Sequence, residues 1–357
     1  MSYWSEEGPA LVTARVKTFF DNDPRFKWEG LLGEGANGIV YRLMYTNLGY
    51  SMRMAVKIAP IDVDLGGSKS YDEDDEEGPE EVESIYIERQ WLQRLRGCAH
   101  VIQSLDIPRD PLFQTPAGVP PHRMLNWIFL EYAENGTVMT FVQRHIAQYP
   151  GELIPSRLLW RFFMCLLRAA IEMAYYDATR NDLPVDLYTA PLESLQSIPP
   201  GSLAHRDMGL SNTVIGAAVP WLQHPEHNIS PILKLIDFGQ AGEVDPAEDV
   251  FNRTGSQRNI MDIGEIMSYL ISLTWGFLTN MPEAHGDFIA RGIDPLLIDL
   301  VCQCLSREND TRPGLIELAI RVHDQVLNRG PNAVERETDE AIIRRRPRKG
   351  DIDRDMI

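Results

Sequence analysis

The sequence predicts an α+β protein, with strands gathered in its first third and helices in the remainder. Two observations carry this. From Lys27 the chain reads KWEGLLGEGANGIVYRLMYT, two apolar runs flanking Gly33, Gly35 and Gly38, and a third apolar run, Met52–Ile58, comes next. That is a strand, a glycine turn and two further strands. From Pro155 onward, apolar residues instead recur at helical spacing, over Pro155–Thr179, over Ile260–Thr274 and through LIDLVCQCLSRENDTRPGLIEL. The 357 residues suffice for one two-lobed domain or two ordinary ones.

Composition excludes several classes. Hydrophobic residues at 44% and charged residues at 24% are ordinary for a globular protein. A net charge of −18 argues against general nucleic-acid binding. The first residues, MSYWSEEGPA, lack the basic start and apolar run of a signal peptide. Arg157, Arg161 and Arg168 break the most apolar helix short of bilayer length, so no membrane span is expected. Cys98, Cys165, Cys302 and Cys304 make no disulfide framework, and Cys302 and Cys304 suit core packing better than metal binding. The expected setting is intracellular and reducing, cytoplasmic or nuclear.

Along the chain, residues 1–27 read as a lead-in that covers a lobe surface. In the glycine turn, backbone without side chains can approach phosphates and donate N–H groups. Three spaced glycines alone are weak, arising in roughly one chain in ten, and a flexible hairpin is the ordinary alternative. Val40 strengthens the reading by completing G-x-G-x-x-G-x-V. A dinucleotide-binding turn would need a helix at the last glycine, where Ile39–Tyr45 reads as strand. Lys57, in Ala55-Val56-Lys57, stands among apolar residues and needs an anionic partner, unless it snorkels from an edge strand. The predicted helix ESIYIERQWLQRL offers Glu88, on one stripe with Ile85, Leu92 and Leu95. Glu81 and Glu83 are runners-up, and a solvated face is the alternative. Between Lys57 and that helix, residues 72–83 hold nine acids in twelve positions. Such a run is a solvated loop or, less conventionally, a dock for a basic partner. Val101–Leu105 and Leu125–Leu130 read as strands around a proline-rich loop. The helix from Pro155 is apolar nearly all round and therefore buried core. Asn181–Gly201 is rich in proline and serine and reads as an insertion.

The chemistry concentrates in AHRDMGLSNTVI and PILKLIDFGQA, spanning Ala204–Ala241. Asp207 on a tight loop can orient a hydroxyl and accept its proton, while Asn212 and Asp237 are hard oxygen ligands of the type Mg²⁺ takes. His-Arg-Asp with asparagine five residues on arises by chance in roughly two chains per thousand. Here the sequence resembles the eukaryotic protein kinases, whose motifs are H-R-D-x-x-x-x-N and D-F-G, preceded by the glycine loop and the V-A-I-K lysine. The resemblance spans about residues 28–327. It implies a bilobal fold, with a five-stranded antiparallel sheet and one main helix over about 28–133 and a mainly helical lobe over about 134–327. A charged tail, 328–357, closes the chain, and its basic run Arg344–Lys349 has the composition of a nuclear localisation signal. The resemblance also implies ATP and Mg²⁺ as cofactors and a protein hydroxyl as acceptor, serine or threonine by default. By the same resemblance Gly33, Gly35, Gly38, Val40 and Ala55 line the nucleotide, Lys57 grips phosphates and Glu88 holds Lys57. Leu130 is the gatekeeper, backbone at Glu131 and Ala133 bonds adenine, Asn212 and Asp237 bind Mg²⁺, and Asp207 with Arg206 forms the catalytic loop.

Departures from that pattern keep other readings open. The A-P-E motif is missing, so Arg312, its usual arginine partner, needs another carboxylate or a solvated position. The family's aspartate in the central helix falls on Asn259, with Asp262 one turn along. Gly209 and Ser211 stand where serine/threonine and tyrosine kinases carry a cation. A pseudokinase scaffold is one alternative, and a small-molecule kinase of the aminoglycoside or choline type is another. Arg206 also suggests control by a phosphate on Thr254 or Ser256.

Overall fold

A computed structural model describes residues 8–35, 38–59, 80–113, 127–176, 190–217, 225–227, 230–251 and 253–328. The acidic run 72–79, the side chains of residues 80–83, residues 181–189 of the 181–201 insertion and the tail lie outside them. The chain divides into two compact units.

The first unit draws on the described residues of Met1–Arg96, Gln103–Tyr132 and Phe238–Gln240. Helix α1 (Gly8–Asp21) leads into strands β1 (Phe26–Gly35), β2 (Gly38–Asn47) and β3 (Tyr50–Ile58), then helix α2 (Glu80–Arg94) and strand β4 (Trp127–Glu131). The four strands form one antiparallel sheet in the order β1-β2-β3-β4. Its faces separate by simple alternation. Ile39, Tyr41, Leu43, Met54, Val56, Ile58 and Phe129 fill a core closed by Val16 and Phe20 of α1. Phe20 meets Phe26 edge-on at 5.2 Å and Phe129 at 6.3 Å, contacts worth about 0.5–1.5 kcal/mol each beyond their buried area. The expected lead-in is thus, over α1, a helix that covers one sheet face. Val40, Ala55 and Lys57 occupy alternate positions and belong to the opposite face.

The sheet has four strands among the described residues, where five were expected. Only Gln103–Leu105 reaches β4, through Leu105 N–H to Phe129 O (2.8 Å), Glu131 N–H to Gln103 O (2.9 Å) and an isolated bridge at Ser104. Val101 and Ile102 belong to the second unit and pair with Leu235 there. Pro108, which has no N–H, comes close behind. Three residues are too few for a ladder.

The second unit draws on Gly97–Ile102 and the described residues of Ala133–Asp237 and Ala241–Ile357. Helix α3 (Val138–Gln148) precedes α4 (Ser156–Ala174), whose residues are almost all buried, as its apolar circumference predicts. Two short antiparallel pairs come next. These are β5 (Leu203–Ala204) with β8 (Gly242–Glu243), and β6 (Thr213–Ile215) with β7 (Leu233–Leu235). Helices α5 (Gly255–Ser272), α6 (His285–Ala290), α7 (Pro295–Cys304) and α8 (Leu315–Asn328) complete the unit. From the insertion, a 3₁₀ turn at Leu192–Leu195 buries both leucines. At Gly264 of α5, a Cβ would lie 2.8 Å from Cys304 Cβ, so only glycine permits that helix contact. Cys304 is buried core, as expected, whereas Cys302 is only half-buried. All four cysteines are free. No helix among the described residues is long and apolar enough to cross a membrane.

Candidate functional site

In the first unit the sheet register sets one row across four strands: Gly33 opposite Val40, Val40 opposite Lys57, Lys57 opposite Ile128. Lys57 Nζ donates to Glu88 Oε2 at 2.7 Å, with side-chain exposures of 6% and 1%. Glu88 is therefore the partner, as its shared stripe with Ile85, Leu92 and Leu95 predicts; all four are buried. Gly38 has φ +133°, and a Cβ there would overlap the Ile58 carbonyl, so glycine is compulsory. Gly33 and Gly35 differ: a Cβ at either would meet nothing within 4 Å. Packing does not explain them. Ala55 is buried opposite Leu130, and Glu131 ends β4 with its N–H paired to Gln103 and its carboxylate accepting Gln103 N–H at 2.8 Å. The Phe238–Gln240 turn packs on α2, where a side chain on Gly239 would overlap Ser84.

In the second unit the His205–Thr213 loop is held at several points. His205 Nε2 lies 3.0 Å from Ile236 O and so carries the proton, while Nδ1 accepts Asp207 N–H at 3.3 Å. The Gly209 carbonyl accepts Asn212 N–H (3.1 Å) and Thr213 Oγ1–H (2.8 Å). Asn212 Nδ2 donates to both the main-chain oxygen and Oδ2 of Asp207 at 2.8 Å, and Asn212 O accepts Ile236 N–H at 3.0 Å. Asp207, Asn212 and the residue preceding Asp237 are thereby tied together. Asp237 has φ +63° and Arg206 φ +65°, left-handed conformations that cost on the order of 1 kcal/mol for residues other than glycine. Arg206 is exposed and donates to Glu243 O at 2.7 Å, and its guanidinium rests on Gly242, where a Cβ would come within 3.0 Å. Ala133 comes two residues after the end of β4, belongs to this unit and is half-buried.

Three sequence expectations need correcting. Helix α5 starts at Gly255, not Ile260, because Thr254 and Gln257 form a reciprocal capping box (3.2 and 2.8 Å). Thr254 is consequently an N-cap and Ser256 is 5% exposed, so neither is an open phosphate acceptor. Arg312 is neither solvated nor bonded to a carboxylate. Its donors go to Cys304 O (3.1 Å), Ser306 O (2.5 Å), Gln257 O (3.4 Å) and Asn309 Oδ1 (3.2 Å).

Two residues have roles the sequence leaves unstated. Asn259 Oδ1 accepts His205 N–H at 3.1 Å while its Nδ2 donates to Leu203 O at 3.0 Å. An aspartate could do only the first, so asparagine is the amide that grips both sides of this backbone. Its alignment with the family's aspartate marks the position but not the second bond. Asp262, half-buried, has its pKa pushed up to about 7 by burial first and then by the like charge of Glu265, with Asp207 adding to it.

No protein-family model matches the chain, and no curated protein sequence matches it significantly.

Proposed function

We propose that this chain is an ATP- and Mg²⁺-dependent protein kinase acting on serine or threonine hydroxyls. The observation that carries the reading is the buried Lys57–Glu88 pair at 2.7 Å beside a glycine hairpin. A buried ion pair adds little stability over apolar residues of equal volume. Its retention suits a task, fixing one ammonium for anionic phosphates. The bare Gly33 and Gly35 suit close approach by such a ligand. Asn212 fits a metal as well. Its Nδ2 is committed to Asp207, which turns Oδ1 elsewhere, and Oδ1 with the Asp237 carboxylate is a hard-oxygen set that Mg²⁺ accepts.

Bound MgATP would supply the γ-phosphoryl group. Lys57 would neutralise phosphate charge, Asp237 and Asn212 would hold the metal, and backbone at Glu131 and Ala133 would receive adenine. Asp207 would orient the acceptor hydroxyl and take its proton as the oxygen–phosphorus bond forms and ADP leaves. A second reading, a scaffold that binds nucleotide with little turnover, is favoured by Gly209 and Ser211, which stand where the resembled kinases carry a lysine or an arginine.

Melting temperature with and without MgATP tests binding, because a ligand of the native state stabilises it by mass action. The wild type should gain a shift, and Asp237→Ala should lose its Mg²⁺-dependent part. An unchanged shift in the variant removes Asp237 from the metal site.

A further inference from the structure

On one face of α4, which also carries Arg157 and Arg161, lie Cys165, Arg168 and Glu172, spaced i, i+3 and i+7. Opposite this stripe the fold brings His100, from the segment Gly97–Ile102, and His227, from a 3₁₀ turn at Pro225–His227. The Nε2 atoms of the two histidines are 3.3 Å apart, and with Cys165 Sγ the three atoms lie within 4.8 Å of one another. Relative exposures are 0%, 1% and 0% for His100, His227 and Cys165. We propose that His100, His227 and Cys165 bind one Zn²⁺ that staples three distant segments of the second unit together.

The spacing of the two nitrogens matches the metal. Two nitrogens at about 2.05 Å from one tetrahedral zinc stand about 3.3 Å apart. The surroundings match as well. Glu172 Oε1 accepts from His100 Nδ1 at 3.2 Å, and its carboxylate is fixed by Ala99 N–H and His100 N–H, both at 2.9 Å. With Nδ1 the protonated nitrogen, His100 must turn the lone pair of Nε2 toward His227. A carboxylate behind a histidine in this way orients and strengthens it as a ligand. Zinc with one thiolate carries a single positive charge, which the Glu172 carboxylate balances, while Glu226 beside His227 is already matched by Arg168 at 3.1 Å. Arg161, also buried on α4, adds a positive charge near Cys165 that favours its thiolate form. Two imidazoles and a thiolate are the donors zinc takes, and they are unlike the all-oxygen set proposed for Mg²⁺. Three protein ligands leave a fourth position for water. Complete burial makes the site a structural one.

The competing explanation is a plain hydrogen bond, with His227 Nε2–H donating to His100 Nε2. Metal analysis of the full-length chain, purified without chelator and then dialysed against one, separates the two. Zinc should be present at about one per chain and fall below about 0.1 on chelation. The melting temperature should fall with it, and Zn²⁺ but not Mg²⁺ should restore it. Co²⁺-loaded protein should show a thiolate-to-cobalt charge-transfer band that Cys165→Ser lacks. Glu172→Gln should bind Zn²⁺ about 10- to 100-fold more weakly with the same stoichiometry. Less than about 0.1 zinc per chain in excess Zn²⁺, or cobalt loading of the wild type without that band, would overturn the site. Copper found in place of zinc would overturn the choice of metal. Wild-type stoichiometry and the cobalt spectrum decide even if the serine variant does not fold.

Discussion

Gly209 is the residue on which the two readings of the second unit turn. Its φ is not among the positive ones, and a Cβ added there meets nothing within 4 Å. A lysine can therefore be placed without strain. If the transferring phosphate lacks a cation, Gly209→Lys should raise kcat by up to about 10²-fold with ATP affinity barely changed, since the charge acts in the transition state. Steady-state kinetics and melting temperature on one preparation check this. No rate gain in a variant of unaltered stability would show that the missing cation does not limit the site.

Asp262 gives a pH prediction. Its pKa rises from the usual 3.8 to about 7 on folding. Between those values the native state binds more protons than the unfolded chain, so this residue's contribution falls as pH rises through the window and is at its worst above it. Asp262→Asn removes the penalty. It should stabilise the protein by on the order of 1 kcal/mol near pH 8 and change little near pH 4. Equal effects at both pH values would contradict the assignment.

At the scale of elements, the start of α5 is set by the Thr254–Gln257 capping box. Thr254→Ala should cost about 1 kcal/mol, read as a lower urea midpoint at unchanged slope. This boundary shows what the sequence could and could not convey. The apolar period of α5 begins at Ile260, so periodicity located the helix body but passed over its polar first turn. The capping pair, three positions apart, was the available signal. Strand alternation in β2 and β3 and the stripe holding Glu88 were legible because each reports a local period. The loss of the expected fifth strand was not, since the fate of Val101–Leu105 depends on pairing with Leu235, far away in sequence. Helix α1 was legible as a covering lead-in but not as a helix, and its place rests on Phe20 meeting Phe129 across the sheet.

For the whole molecule, the candidate residues divide between the units. Gly33, Gly35, Gly38, Val40, Ala55, Lys57, Glu88 and Glu131 belong to the first, and Ala133, Arg206, Asp207, Asn212 and Asp237 to the second. Motifs exposed most of these residues because each needs a fixed type at a fixed spacing, while Glu88 came from its helical stripe and Glu131 and Ala133 from the resemblance of their run to a hinge. The buried His100, Cys165 and His227 escaped because 127 residues separate the two histidines and no short spacing marks them. Asn259 escaped in part because its second bond depends on Leu203, brought near only by folding.

The central claim is phosphoryl transfer, and the direct test is transfer of labelled γ-phosphate from MgATP to mixed serine and threonine peptides. Wild type should label the peptides. Asp207→Asn should retain the nucleotide-dependent rise in melting temperature and lose at least about 10²-fold in rate, the usual share of a positioned base. Equal labelling by variant and wild type, or binding of MgATP with no transfer by the wild type, would contradict the account.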